Sequence, residues 1–299
     1  MRRYSWFAWL SNCCSFSSST LKMALVGVLR LFKPRERFSI LAMDRIAPRV
    51  VRIRLAPASG SLRPYLAGQF LFIRLDIPGL PRRTKPFTIS NPPGDRYLEI
   101  MVKGSDDWTL SLYDLSEAFP GFHGNHPVPR SGKPGFPDGK LGMERPAPGV
   151  SWQAWLDYPY GSFTTKGADD GPWVFLAAGI GITPFLALAG NRLRDDARIL
   201  ILWAAHNRDE LAGFDRLAAI NARRPSVRLI PVLGHDPLWS GRQGRLDRRA
   251  LEELAARELA DPEARYWICC PAPLRRSLVK TLKSLGVQGK RIRWEVFCQ

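Results

Sequence analysis

The sequence has no cysteine framework: its five cysteines, Cys13, Cys14, Cys269, Cys270 and Cys298, form two adjacent pairs and a singleton. No C-x-x-C spacing occurs, which argues against a zinc ribbon and against a resident iron–sulfur cluster. The same pattern favours a reducing compartment over a secreted, disulfide-stapled fold. Histidine is also scarce. The four, His123, His126, His206 and His235, include no helical metal-ligand pair, so no metal site is expected. No apolar run reaches the ~20 residues needed to span a bilayer. Acidic residues are in short supply, 27 against 44 Lys and Arg, for a formal net charge of +17. Such a charge suits nucleic acid, an anionic membrane surface or an acidic protein. The basic residues are scattered rather than gathered in one block. A solvated Arg-rich surface therefore competes with all three readings, and no nucleic acid partner is expected from charge alone.

What is present suffices for two globular domains. The chain has 299 residues, 45% hydrophobic and 24% charged. Residues 1–33 carry Arg2, Arg3, Lys22, Arg30 and Lys33 and no acid, around an aromatic stretch at 4–10 and an apolar one at 21–32. They read as an interfacial basic–aromatic segment. Together with the reduced cysteines this implies a cytoplasmic protein, with the cytoplasmic face of the inner membrane as its point of association.

Residues 34–166 read as a first domain of short strands, at 38–43, 50–55, 69–75, 85–90 and 97–102, with Pro and Gly turns between them. A short helix opened by Asp107 follows, then a closing strand at 150–156 and a turn at 158–163. This spacing predicts an antiparallel β-barrel. Within it, 120–149 carries seven prolines and little to bury, so it reads as an inserted loop. A polar linker at 167–171 marks the boundary. Across 171–299 strands at 173–178, 199–205, 227–233, 266–269 and 292–297 alternate with helices at 183–194, 209–221, 248–259 and 273–285. Alternation of this kind predicts a doubly wound parallel sheet, an α/β domain that binds its ligand at the carboxyl ends of its strands.

Two stretches carry chemistry. The first, Ala177-Ala178-Gly179-Ile180-Gly181-Ile182-Thr183-Pro184-Phe185, follows the first strand of the second domain. Gly179 and Gly181 permit positive φ and close approach of backbone to a ligand. Thr183 reads as an N-cap and Pro184 as the first helical residue. Free N–H groups and the helix dipole at such a start favour a phosphate. The second stretch is Lys85-Pro86-Phe87-Thr88-Ile89-Ser90. Period-2 geometry puts Lys85 and Phe87 on one face of a strand, a cation for a phosphate beside a flat ring for a cofactor ring, with the Thr88 hydroxyl next to them.

These stretches, in this order, resemble the ferredoxin–NADP reductase superfamily, and within it the flavin/nicotinamide module of ferric reductases and NADPH oxidases. KPFT at 85–88 is similar to the flavin motif, with Lys85 in place of Arg or His. Gly68-Gln69-Phe70 is similar to the G-Q-[FY] at the entry to that strand pair, and GIGITPFL at 179–186 to the nicotinamide motif. Cys269-Cys270-Pro271 is similar to a C-G-P motif, with Cys270 in place of glycine, and Trp294-Glu295-Val296-Phe297 to the terminal strand.

The resemblance implies an FAD-dependent oxidoreductase that passes hydride from NADPH or NADH to the flavin N5 and then electrons to an acceptor. A ferric chelate, a haem membrane partner and an acidic redox carrier all qualify as that acceptor. It further implies that Phe87 stacks on the isoalloxazine, that Thr88 bonds near N5, and that Lys85 and Thr109 hold the FAD pyrophosphate. Gly179, Gly181, Thr183 and Pro184 would cradle the dinucleotide. Cys269 would sit beside the nicotinamide C4, Glu295 near the reacting centre and Phe297 over the other flavin face. Cys270 places a side chain where the backbone approaches the nicotinamide. His206, Arg208 and Arg242 or Arg245 are the candidates to read a 2′-phosphate, which leans toward NADPH. Lys85 and Cys270, as departures from the pattern, also keep open a flavin- or nucleotide-binding regulatory module with little turnover.

Overall fold

The computed structural model describes residues 35–119, 152–166, 172–191 and 197–295. The N-terminal segment at 1–33, the insertion at 120–149, the linker at 167–171 and Phe297 lie outside the described residues.

Strands β1 (Glu36–Ala47), β2 (Val50–Pro57), β3 (Phe70–Asp76), β4 (Thr84–Thr88), β5 (Leu98–Lys103) and β6 (Gln153–Tyr160) form one antiparallel sheet in the order β4-β3-β6-β1-β2-β5. Beyond β4 the chain meets the other end of that sheet. Ser90 N donates to Glu99 O at 2.8 Å, and Glu99 N donates to the Asn91 Oδ1 at 2.7 Å. The two end strands thus join, and the sheet curls into the expected barrel. Alternate side chains, among them Phe38, Met43, Ile53, Leu55, Leu71, Ile73 and Ile100, fill its inside. Helix α1 (Asp107–Leu115) adds Trp108, Leu112 and Leu115 to that core. The buried Arg45 secures the helix end: it donates to Tyr113 O at 2.7 and 3.2 Å and to Asp114 O at 3.2 Å, carbonyls of the last turn that also accept from Ser116 N.

The second sheet is fully parallel. Strands β7 (Trp173–Ala178), β8 (Ile199–Ala205), β9 (Val227–Leu233), β10 (Arg265–Cys269) and β11 (Ile292–Glu295) take the order β11-β10-β7-β8-β9. The winding reverses at β7, so the crevice lies at the carboxyl ends of β7 and β10. Helices α2 (Thr183–Gly190) and α3 (Phe214–Arg223) pack Phe185, Leu186 and Leu217 on one face. On the other face, α4 (Arg248–Leu254), α5 (Ala256–Ala260) and α6 (Ala272–Ser284) cover the sheet, with Ala250, Leu251, Leu278 and Leu282 buried there.

Most differences from the sequence expectation concern where helices begin. The helix expected from 209 starts at Phe214, because Gly213 at φ +85° breaks the run after a short turn at Arg208–Glu210. The one expected at 248–259 is divided at Ala255. The closing barrel strand runs to Tyr160, so the 158–163 turn begins later than its Pro and Gly suggest.

The barrel docks on the α2–α3 face of the parallel sheet. Ala47, Val50, Ala67, Met101 and Phe163 from the barrel share a core with Phe185, Leu186 and Leu188. Polar ties reinforce this contact. Arg216 on α3 donates to the Glu99 carboxylate on β5 at 2.6 Å and to Ser90 O at 3.0 Å. Glu99 also accepts from the Ser90 hydroxyl at 2.9 Å.

Candidate functional site

The Gly179 turn lies at the switch point, as its sequence implies, but its two glycines serve different ends. Gly179 adopts φ +51°, which only glycine takes without strain. Gly181 has no unusual φ; it is small because a Cβ there would stand 2.1 Å from the Cys269 carbonyl oxygen. The β7 turn and the end of β10 therefore touch backbone to backbone. Thr183 is not the N-cap. It is the first residue of α2, the cap position is Ile182, and the Thr183 hydroxyl donates to Ile180 O at 3.2 Å. The chain enters the helix through a 3₁₀ turn over Gly179–Ile182, which moves the helix start and shifts Pro184 one place along.

Sequence reasoning missed one residue here. The Lys103 ammonium, at the end of barrel strand β5, stands 3.9 Å from where a Cβ on Gly179 would lie. It pairs with Glu210 at 3.7 Å, from the turn after β8. Nothing local marks Lys103, because its position depends on the barrel docking on the second sheet.

The end of β10 and the edge strand β11 form a buried corner. Cys269 and Glu295 are register neighbours. Cys269 is fully buried, and burial pushes its thiol well above the ordinary range, with Glu295 adding to the effect. Glu295 stands 4.0 Å from the open side of Gly161, at the end of barrel strand β6. Its Oε2 is enclosed and without a hydrogen-bond partner among the described residues. Burial pushes that carboxyl up to about 8, so at neutral pH it is mostly protonated. Cys270 does not intrude on this corner. Its side chain turns to the opposite face of the sheet, into the cluster of Leu176, Ile268 and Leu278, and burial pushes its thiol up to about 12. The expectation that Cys270 obstructs the nicotinamide therefore does not hold for its side chain.

On β4, Lys85 and Phe87 share a face, as period 2 requires, and that face meets α1. The Phe87 ring stacks on Trp108, centroids 6.3 Å apart and planes at 22°. The Lys85 ammonium lies 5.6 Å from the centre of the Trp108 ring and pairs with Asp106. Pro86 is tolerated because β4 ends the sheet order and lacks a second ladder partner there. Thr88 is buried and paired in register with Phe70. Thr109 differs from expectation: its hydroxyl serves a capping box. It accepts from Ser105 N at 2.9 Å and Asp106 N at 3.0 Å, while Thr109 N donates to the Asp106 carboxylate at 2.9 Å. Burial raises the Asp106 carboxyl, but hydrogen bonds from Lys85 and Thr109 outweigh it and hold the group down at about 2.

A continuous path joins the two stretches nominated by the sequence. Thr88 pairs with Phe70; Phe70 packs on Tyr160 with ring centroids 5.8 Å apart and lies against Gly161; Gly161 faces Glu295; Glu295 neighbours Cys269; and the Cys269 carbonyl covers Gly181. The barrel strand and the glycine turn are thus linked by contacts that run from one sheet to the other. Arg208 stands apart, after β8. It donates to Asp236 through Nε at 2.9 Å, Nη2 at 3.0 Å and its backbone N at 3.1 Å. The Arg208 hydrogen bonds hold the Asp236 carboxyl below its ordinary value. Arg242 is paired with Glu253 at 3.0 Å. Among the described residues, no group of three or more His, Cys, Asp or Glu side chains could hold a metal ion. None of their helices is long and apolar enough to cross a membrane.

Comparison with known proteins agrees with this geometry. Residues 36–164 match the FAD-binding domain family, and residues 175–280 match the oxidoreductase NAD-binding domain family. The chain belongs to the ferredoxin–NADP reductase superfamily. It is an oxidoreductase module that binds FAD and a nicotinamide dinucleotide and supports electron transfer from NAD(P)H through FAD. Among superfamily members of known sequence, the flavohemoprotein of Bordetella pertussis is 27% identical over 274 residues, a match that covers 87% of this chain and 60% of the relative. The flavohemoprotein of Rhizobium meliloti is 26% identical over 250 residues, covering 81% of this chain and 55% of the relative. The chain thus spans about 60% or less of the length of these curated relatives. Among solved structures, the FAD/NAD-binding domain of the nitric oxide dioxygenase from Vibrio cholerae superposes with a TM-score of 0.68 at 22% identity, covering 88% of this chain and 98% of that one. A ferredoxin NADP⁺ reductase from Neisseria gonorrhoeae gives a TM-score of 0.64 at 19% identity, covering 87% and 98%.

Proposed function

We propose that the protein takes hydride from NAD(P)H between its two sheets and delivers electrons singly to a haem-bearing partner. The observation that carries this reading is the path from Thr88 through Phe70, Gly161 and Glu295 to Gly181, which links a flavin-type strand to a dinucleotide-type turn. The residues present fit the flavin. Phe87 is half-buried, backed by Trp108 on one face, and Lys85 stands on the same side of the strand. FAD, when bound, supplies a hydride acceptor that can release electrons one at a time.

The chain's own residues do the rest. Phe87 and Thr88 hold the flavin ring system, Lys85 the flavin phosphates. Gly179 and Gly181 offer the dinucleotide phosphates backbone N–H groups and Lys103 its ammonium, while Thr183, whose N–H is held by Ile180 O, and Pro184, which has none, set the turn that presents them. Cys269 packs the floor and keeps water out. Glu295 holds a proton at its carboxyl beside the reacting rings. Lys85 pairs with Asp106, so a phosphate there meets a neutral pair rather than a lone cation. The regulatory reading loses Cys270 as support, because that side chain is in the core.

The haem partner is favoured because the curated relatives are flavohemoproteins and because a net charge of +17 suits an acidic docking face. A ferric chelate or a small redox carrier are the alternatives, and a site at the cytoplasmic face of the inner membrane suits residues 1–33. The test is to reduce the FAD-loaded chain with NAD(P)H under anaerobic conditions and mix it with cytochrome-type haem proteins, ferric citrate and a ferredoxin. Fastest reduction of the haem protein supports the reading. Transfer to ferric citrate alone would replace it with a ferric reductase.

A further inference from the structure

We propose that the protein selects NADH over NADPH, and that Asp236 makes the selection by keeping Arg208 from a 2′-phosphate. The proposal rests on the reductase reading above. The buried corner of Cys269 and Glu295 lies on the β10–β11 side of the switch point, and the glycine turn lies at β7. A dinucleotide whose nicotinamide reaches that corner and whose phosphates meet the turn extends its adenosine half over the ends of β8 and β9. NADH and NADPH differ only there, by a phosphate on the adenosine ribose.

Arg208 follows β8 and Asp236 follows β9, so both stand where that ribose arrives. An arginine recognises a phosphate best by presenting two N–H groups at once. Arg208 already spends Nε and Nη2 on Asp236, at 2.9 and 3.0 Å. Asp236 is not a casual partner. The backbone N of Arg208 and that of Leu238 both donate to it at 3.1 Å, and its side chain is only 7% exposed. With its Nε–Nη2 edge held by Asp236, Arg208 offers a phosphate only Nη1 and the second Nη2 hydrogen, and does so with its charge already balanced; bringing the held edge round would strand an enclosed carboxylate.

The surrounding charge points the same way. Asp209 and Glu210 directly follow Arg208 in the sequence. The only ammonium paired with either among the described residues is Lys103, 3.7 Å from Glu210. A dianionic 2′-phosphate meets these carboxylates, a neutralised Arg208 and an Arg242 already paired with Glu253, which leaves the exposed Arg245 as the one unpaired arginine between β9 and α4 among the described residues. A ribose 2′-hydroxyl meets acceptors to which it can donate.

The test uses the full chain loaded with FAD and two readouts. In steady state, kcat/KM for NADH is expected to exceed that for NADPH by at least about tenfold, and Asp236→Asn to shift the ratio toward NADPH by a similar factor. Arg208 N donates to Oδ2 and Leu238 N to Oδ1, so the asparagine keeps an acceptor for one of the two; an unchanged melting temperature of the variant shows that the loop is retained. Calorimetry with 5′-AMP and adenosine 2′,5′-bisphosphate needs no turnover. Asp236→Asn is expected to gain affinity for the bisphosphate alone, and Arg208→Gln added to it to remove that gain. A wild-type preference for NADPH overturns the proposal. So does a loss of bisphosphate binding in Asp236→Asn, the result expected if the carboxylate aims Arg208 at the phosphate. If the fragments behave as expected while neither coenzyme reduces the flavin, the reductase reading falls and the selectivity stands. If both coenzymes reduce it equally, the selectivity falls and the reductase reading stands.

Discussion

Replacing Glu295 by Gln removes one buried titration and leaves the shape of the corner unchanged. The Glu295 carboxyl is held at about 8, against an ordinary 4.5, by burial. At about 1.4 kcal/mol for each tenfold change in proton affinity, this difference corresponds to about 5 kcal/mol. Water that enters on ionisation relieves part of it, so an effect of about 2–4 kcal/mol is expected in solution. The sign follows from the raised folded-state value. Below pH 4.5 the carboxyl is neutral in both the folded and unfolded chain, and Glu and Gln are equivalent. As pH rises from 4.5 to 8 the unfolded chain loses its proton first, so the wild type loses stability that Glu295→Gln keeps. Denaturant unfolding across pH 4.5 to 9 should show the variant gaining on the wild type through that window and levelling off above pH 8. Oxidation of NADH should fall in the wild type as pH passes 8, because the proton held beside the rings is gone. Two stability curves that stay parallel over the whole range would refute the reasoning.

Three further outcomes test separate parts of the fold. Gly181→Ala drives a Cβ to within 2.1 Å of the Cys269 carbonyl; it should cost about 1–3 kcal/mol and lower the rate of flavin reduction by at least about tenfold, while FAD stays bound, as thermal unfolding and stopped-flow absorbance would show. Cys270→Gly should lower the melting temperature through about 1–2 kcal/mol of lost packing and backbone entropy, without raising NAD(P)H oxidation, because the thiol is in the core and not at the cleft. Arg216→Ala removes a charged partner of the buried Glu99 carboxylate and should cost about 1–3 kcal/mol; adding Glu99→Gln should recover part of that in the same unfolding assay.

The strands, the two kinds of sheet and both chemical stretches were legible because they rest on local signals. Runs such as Trp173-Val174-Phe175-Leu176 are apolar throughout only where both faces are covered, and Gly179 is needed where φ is positive. The roles of Gly181, Lys103 and Cys270 were not legible in the same way. Each depends on which residue from another part of the chain stands opposite: the Cys269 carbonyl, the Gly179 turn, and the cluster beneath α6. Thr183 and Thr109 show a second limit. Both hydroxyls sit at helix starts, and sequence alone does not say whether such a group caps the first turn, bonds back to the preceding turn or faces a ligand. Arg208 shows a third: its charge was visible, and its neutralising partner 28 residues on was not.

The central property is hydride transfer from a nicotinamide to a flavin between the two domains. Anaerobic titration of the FAD-loaded full chain with NADH, followed by visible absorbance, measures this. A yellow protein that bleaches with one NADH per flavin is expected. A chain that stays colourless with added FAD, or a yellow one that neither NADH nor NADPH bleaches, would contradict it.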